Sequence, residues 1–157
     1  MVIACRPTLA ALAGQDWDTQ VAWAANFSFG GYSDWRLPTT DTPCLGGNCM
    51  GSEMGHLYYV ELGNVESASP INTGGFQNVL GRYWSGTPSN SGNAYVFFFA
   101  IAPFLNGSQV EAGKFNNPSF ALAVRPGDVP AIPEPQTAAM MMLGLTGLAL
   151  AAWRRRR

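Results

Sequence analysis

Histidine is nearly absent from this chain, and positive charge is scarce until its very end. His56 is the only histidine, and the three cysteines are Cys5, Cys44 and Cys49. No second cysteine or histidine pair exists to complete a tetrahedral site around Cys44 and Cys49, so no metal centre is expected there. Apart from four terminal arginines, only Arg6, Arg36, Arg82, Lys114 and Arg125 oppose ten acidic residues. The acidic body has no basic patch with which to hold nucleic acid or to attract sulfated polysaccharide by charge. Charged residues make up 12% of the 157, while glycine, asparagine, serine and aromatics abound, which suits an extracellular, turn-rich fold better than a cytosolic enzyme. A convincing secretory signal is missing as well. Arg6 interrupts the first apolar residues and the stretch 8–13 is too short for a signal core, although 11–14 has small residues of cleavage-site type. The expectation is therefore either a true start upstream or a truncated copy, with residues 1–14 not expected to represent native structure.

Charge is also missing between Glu134 and Arg154, where an apolar run from Thr137 to Trp153 leads into Arg154, Arg155, Arg156 and Arg157. On a soluble domain such a run would leave a large apolar stripe in water, so it is expected to enter a bilayer as a helix. Clustered arginines stay on the cytoplasmic side, which puts everything before Pro133 across the membrane. At ~1.5 Å per residue the span is about 25 Å, short of the ~30 Å hydrocarbon core, and Gly144, Thr146 and Gly147 weaken it further. That favours a recognition signal over a lifelong anchor. The order of parts, Pro133-Glu134-Pro135, the apolar run and the arginine cluster, resembles the PEP-CTERM sorting signal of Gram-negative bacteria. The resemblance implies a chain held in the inner membrane until an exosortase cuts near Pro-Glu-Pro and passes it to the cell surface or extracellular matrix. An ordinary tail anchor on a proline-rich stalk is the alternative, and both readings export the rest. The chain then divides into an uncertain segment 1–14, one domain over 15–127, a proline-rich linker 128–136 and the tail 137–157.

Within the domain, Cys44 and Cys49 bracket Leu45-Gly46-Gly47-Asn48, residues that fold tightly back and bring two Cβ atoms within bonding reach, so a local disulfide is expected. Cys5 is left over. Asp16 can cap a helix running to about Asn26 with Trp17, Val21, Ala24 and Ala25 on one face. Ser52 can cap a second, with Met54, Leu57, Tyr58 and Leu62 on one face and Gly63 at its end. Tyr83–Thr87, Tyr95–Ala102 and Phe120–Arg125 read as antiparallel strands between turn-rich segments. The stretch from Val96 to Ile101 is apolar on both faces and predicts a central strand, with helices over one side and loops over the other. Helices first and strands afterwards give an α+β domain.

Four stretches carry a second resemblance: Trp17, Trp23 and Ala24 in the first helix, Gly31 to Thr39 (Gly-Tyr-Ser-Asp-Trp-Arg-Leu-Pro-Thr), Tyr83 to Thr87 (Tyr-Trp-Ser-Gly-Thr) and Ala123 to Pro126. Over residues 16–126 they are similar to the C-terminal domain of the Legionella collagen-like adhesin. That family is related to C-type-lectin-like and formylglycine-generating-enzyme-like folds, which implies a twisted antiparallel sheet with two helices and long loops. Strands that usually precede the first helix are missing from this sequence, so an incomplete sheet is expected.

The motif Asp34, Trp35, Arg36, Leu37, Pro38 and Thr39 is expected to be structural. Arg36 would turn inward and satisfy loop carbonyls, and its removal would cost about 2–4 kcal/mol. Tyr83, Trp84, Trp35 and Tyr32 are the candidate ligand surface, holding polysaccharide or a matrix protein by stacking and neutral hydrogen bonds. Substituting Tyr83 or Trp84 would then weaken binding without moving the melting temperature. No catalytic residue is expected: Ser85 has no local base, and Glu53 and Glu61, eight apart beside water, have nothing to raise a pKa. Formylglycine-generating enzymes depend on active-site cysteines, whereas Cys44 and Cys49 share one tight loop. No cofactor is called for; calcium would have to draw on Asp34, Asp41 and Glu53, without supporting spacing. The resulting expectation is a non-enzymatic exported binding module, with a purely structural surface component as the first alternative and an enzyme of the formylglycine-generating-enzyme-like class as the second.

Overall fold

A computed structural model describes residues 2–5, 14–76, 79 and 81–126. The linker and the tail lie outside the described residues, and with them the expected bilayer helix. Among the described residues no helix is long and apolar enough to cross a membrane. Residues 1–126 form one compact unit.

The fold is α+β: two helical segments and small antiparallel sheets. Strand β1 is Val2–Cys5, helix α1 Trp17–Ala25, and helix α2 Glu53–Gly55, which continues directly into a π-helical turn, His56–Glu61. Strands β2 (Gly81–Pro88), β3 (Asn93–Ala100) and β4 (Gln109–Gly113) form a sheet in the order β2-β3-β4, and β5 (Leu122–Arg125) pairs with β1. The β1–β5 ladder runs antiparallel from Val2 opposite Arg125 to Cys5 opposite Leu122. A strand therefore does precede the first helix, and residues 2–5 of the opening segment pair with β5. The sequence reading set them aside because Arg6 spoils a signal peptide, but four extended residues beside β5 need no such continuity.

β3 is central, as its apolar run predicts, but both of its faces are covered by helix. Successive strand residues point to opposite faces. Phe97 and Phe99 pack with Met54, Leu57, Tyr58 and Leu62 of the second helical segment, and Tyr83 joins them. Ala94, Val96 and Phe98 pack instead with Ala24, Trp84 and the partly buried Trp17, Val21 and Trp23 around α1. The expected loop-covered side is thus the α1 side. Rings on the α2 face meet edge to face, Phe97 and Phe99 at 5.0 Å and Tyr83 and Phe99 at 5.4 Å, a geometry that adds to the burial of each ring.

Several boundaries differ from the sequence reading for identifiable reasons. β3 stops at Ala100 because the Ile101 amide turns to Asn106 Oδ1, 3.1 Å away. β4 is left out of the sequence reading because its polar–apolar alternation, Gln109-Val110-Glu111-Ala112, is only four residues long. Its outer edge is closed by Gly46, which exchanges two 2.8 Å backbone bonds with Gln109 and so blunts an otherwise open edge. Asp16 occupies the N-cap of α1 in extended conformation but makes no side-chain cap bond, Ala25 is exposed, and the buried side of the helix includes Gln20, whose Nε2 donates to Ser119 O at 3.0 Å. Ser52 caps the second segment as read, accepting from the Gly55 amide at 3.0 Å. Gly55 itself is obligatory, since a Cβ there would run into the Cys49 carbonyl.

Candidate functional site

The Gly31–Thr39 stretch crosses the domain as a strap. Its backbone is pinned at Arg36, which exchanges bonds of 3.0 and 2.8 Å with Val124 of β5. The Arg36 side chain does not turn inward to a set of carbonyls. It lies 43% exposed and grips Glu53 in a two-pronged ion pair, Nη1 to Oε2 at 2.6 Å and Nη2 to Oε1 at 2.9 Å, with one further bond to Leu37 O. Thr39 adds its amide at 2.7 Å and its hydroxyl at 3.0 Å to the same Glu53 Oε2. Burial pushes the Glu53 carboxyl up, but the Arg36 and Thr39 bonds outweigh it and hold the group below the usual glutamate range. Sequence reasoning missed this pairing, although an acid directly after the Ser52 cap sits where a helix N-terminus favours it.

A second arginine fixes the start of the strap. Arg125, at the end of β5, donates to Asp34 Oδ1 at 2.8 Å and stacks over the Tyr32 ring at 3.5 Å. The bond from Arg125 holds the Asp34 carboxyl below its usual range. Asp34 and Glu53, two of the three oxygens considered for calcium, therefore each face a guanidinium, and the described residues contain no cluster of three ligating side chains.

The candidate stacking surface is not where sequence placed it. Trp84 and Tyr83 lie in the core at 0% and 4% exposure, and Trp35 is 4% exposed, so none of the three presents a ring face to a ligand. Their aromatic character serves packing. Trp84 Nε1 donates to Gln15 O at 2.9 Å, tying β2 to the entry of α1, and Trp17 Nε1 returns a 2.7 Å bond to Ser85 O. Ser85 is fully buried and its hydroxyl donates to Pro38 O at 2.9 Å. Tyr32 alone of the four is exposed, at 42%.

Cys44 and Cys49 form the expected disulfide, with Cα atoms 5.7 Å apart. Asn48 and Gly46 take positive φ of 59° and 86° inside the loop, which is why asparagine and glycine stand there. Gln109 Nε2 donates to Cys44 O at 2.7 Å, so the loop is fastened to β4 as well as to itself.

Beside this loop the second helical segment walls an open groove of ≈ 740 Å³. Leu57, Leu62 and Phe76 supply apolar lining, and Glu53, His56 and Glu61 supply polar groups. His56 and Glu61 are five apart and would diverge on an α-helix, where neighbours are three or four apart. The π-helical turn, marked by the Leu62 amide bonding to Leu57 O at 3.0 Å, is wider and brings His56 Nε2 within 3.4 Å of Glu61 Oε1. Nothing in a 3.6-residue reading of the sequence could reveal that pair. Both side chains stay more than half exposed.

Compared with known families, residues 131–157 match the PEP-CTERM protein-sorting motif. No curated protein and no solved structure matches the chain. PEP-CTERM tails are recognised by exosortase, a membrane protein, and mark an exported protein that is anchored transiently in a membrane.

Proposed function

We propose that this exported, exosortase-sorted chain delivers its 15–127 domain to the surface or extracellular matrix of a Gram-negative cell, where the domain acts as a non-catalytic binding module for polysaccharide or matrix partners. The sorting motif at 131–157 is the observation that carries the reading. On this reading the tail holds the chain in the inner membrane, with Arg154 to Arg157 in the cytoplasm, until it is cut near Pro133-Glu134-Pro135. Support for a binding role comes from the open groove, whose mix of apolar lining and exposed His56 and Glu61 suits a neutral ligand that stacks and hydrogen-bonds. The likeness to the adhesin C-terminal domain, with its lectin-like relatives, points the same way. A non-catalytic role is favoured because Ser85 is buried in a structural bond and Glu53 is committed to Arg36 and Thr39.

A glycan array probed with the full chain in detergent, at physiological salt, tests the binding role. The expected result is retention of neutral polysaccharides that His56→Ala/Glu61→Ala weakens without a change in melting temperature. Uniformly blank arrays would favour the purely structural surface component, and turnover of any glycan would overturn the non-catalytic reading.

A further inference from the structure

Residues Phe29, Gly30, Gly31 and Tyr32 close a tight turn that carries aromatic rings into solvent. Phe29 and Tyr32 exchange backbone bonds of 3.1 Å in both directions, and Gly30 and Gly31 hold positive φ of 62° and 82° that other residues resist. Trp35 Nε1 and Ser28 Oγ both donate to Tyr32 O, which fastens the end of the turn to its own flanks. Phe29 is 63% exposed, and its ring lies 6.2 Å from Phe27, which in turn meets Trp35 at 5.5 Å. No charged side chain occurs from Phe27 to Ser33. An exposed, uncharged aromatic knuckle is suited to the headgroup layer of a bilayer, where amphipathic rings collect and backbone groups still find hydrogen-bond partners.

The position of the knuckle says which surface it would meet. Arg125, stacked on Tyr32 and bonded to Asp34, is the last residue of β5, and the compact unit ends one residue later at Pro126. Ten residues, 127–136, then lead to the apolar run that begins at Thr137. Even fully extended they reach at most about 36 Å, so the end of the domain that carries the knuckle stays within that distance of the membrane that the run enters. We propose that, before cleavage, the Phe27–Tyr32 turn rests in the headgroup layer of that same membrane, on the side opposite the terminal arginines. This rests on the reading of the tail as a membrane anchor. Contact is made by rings rather than by charge: the body is acidic, and Arg125, the cation beside the knuckle, already faces Asp34. Ile101 and Phe104 make another exposed apolar patch, but no stretch of chain ties it to the tail.

The experiment uses the isotope-labelled full chain in phosphatidylcholine nanodiscs that contain some headgroup-nitroxide lipid. Amide signals of Gly30, Gly31 and Ser33 are expected to broaden and that of Gly92 to stay sharp. Gly92 lies at the far end of α1, where Trp17 N–H donates to Lys114 O and Lys114 N–H to Gly92 O. Phe29→Ser/Tyr32→Ser, and independently Ser33→Glu at an exposed position that leaves the packing intact, should abolish the broadening while the chain stays on the disc; high salt should not. Sharp knuckle signals on a loaded disc, or broadening over 101–104 instead, would overturn the proposal with the anchor intact. A chain that never loads onto discs would overturn the anchor reading and this one with it.

Discussion

Glu53 accepts four hydrogen bonds from two residues of the strap, and this one carboxylate fastens the start of the second helical segment to Arg36 and Thr39. The pair is partly exposed, so water screens it, and the loss expected for Arg36→Ala falls to about 1–2 kcal/mol from the larger figure a fully buried network would imply. Urea unfolding checks this, and a parental midpoint combined with loss of ligand binding would return Arg36 to the functional site. The same carboxylate sets an acid limit. Its folded pKa lies below its unfolded one, so the stabilisation is present above the ordinary glutamate range and disappears as pH falls through the folded value. Stability should hold from neutrality to about pH 5 and decline below it, with Glu53→Gln less stable at neutrality and showing a shallower decline. An unchanged acid limb in that variant would contradict the assignment. Trp84→Ala should cost about 3–5 kcal/mol, the penalty of emptying a core site, where a surface stacking ring would cost almost nothing.

At the scale of elements, the π-helical turn walls the groove, and the loop 44–49 closes just before Met50, where the lining begins. A ring closed over so few residues restrains the unfolded chain weakly, so Cys44→Ser should still fold and lose about 2 kcal/mol in thermal or urea unfolding. Collapse of the fold in that variant would mean that the loop's ties to Gln109 depend on the disulfide. What could be read from sequence at this scale was whatever leaves a local trace. The Ser52 cap, the Cys44–Cys49 closure and the doubly apolar β3 all do so, and all are present. β1 leaves no such trace, since its pairing is decided by a distant partner, Leu122–Arg125, and the alternation of β4 covers only Gln109 to Ala112 before Gly113. The His56–Glu61 pair depends on a helical period that the apolar pattern does not announce. The Arg36–Glu53 and Arg125–Asp34 pairs join positions 17 and 91 residues apart, and many acids competed for those arginines on paper. Tyr83 and Trp84 misled for a plain reason: aromatic residues in a strand suit a core as well as a platform, and only burial tells them apart.

For the whole molecule, sequence was most informative in the tail, where the signal is a linear order of parts. Three successive features, a Pro-Glu-Pro, an uncharged run and an arginine cluster, are linear and need no tertiary context, so the sorting motif could be read directly. Its match over 131–157 organises everything else: an acidic, disulfide-bearing domain on an exported chain, and a tail of the kind that exosortase recognises. The most direct measurement is the intact mass of the mature protein recovered from the surface or culture medium of its native host. The account predicts a chain that ends near Pro133-Glu134-Pro135 and lacks Arg154 to Arg157. Mature surface protein that still carries those four arginines would contradict it.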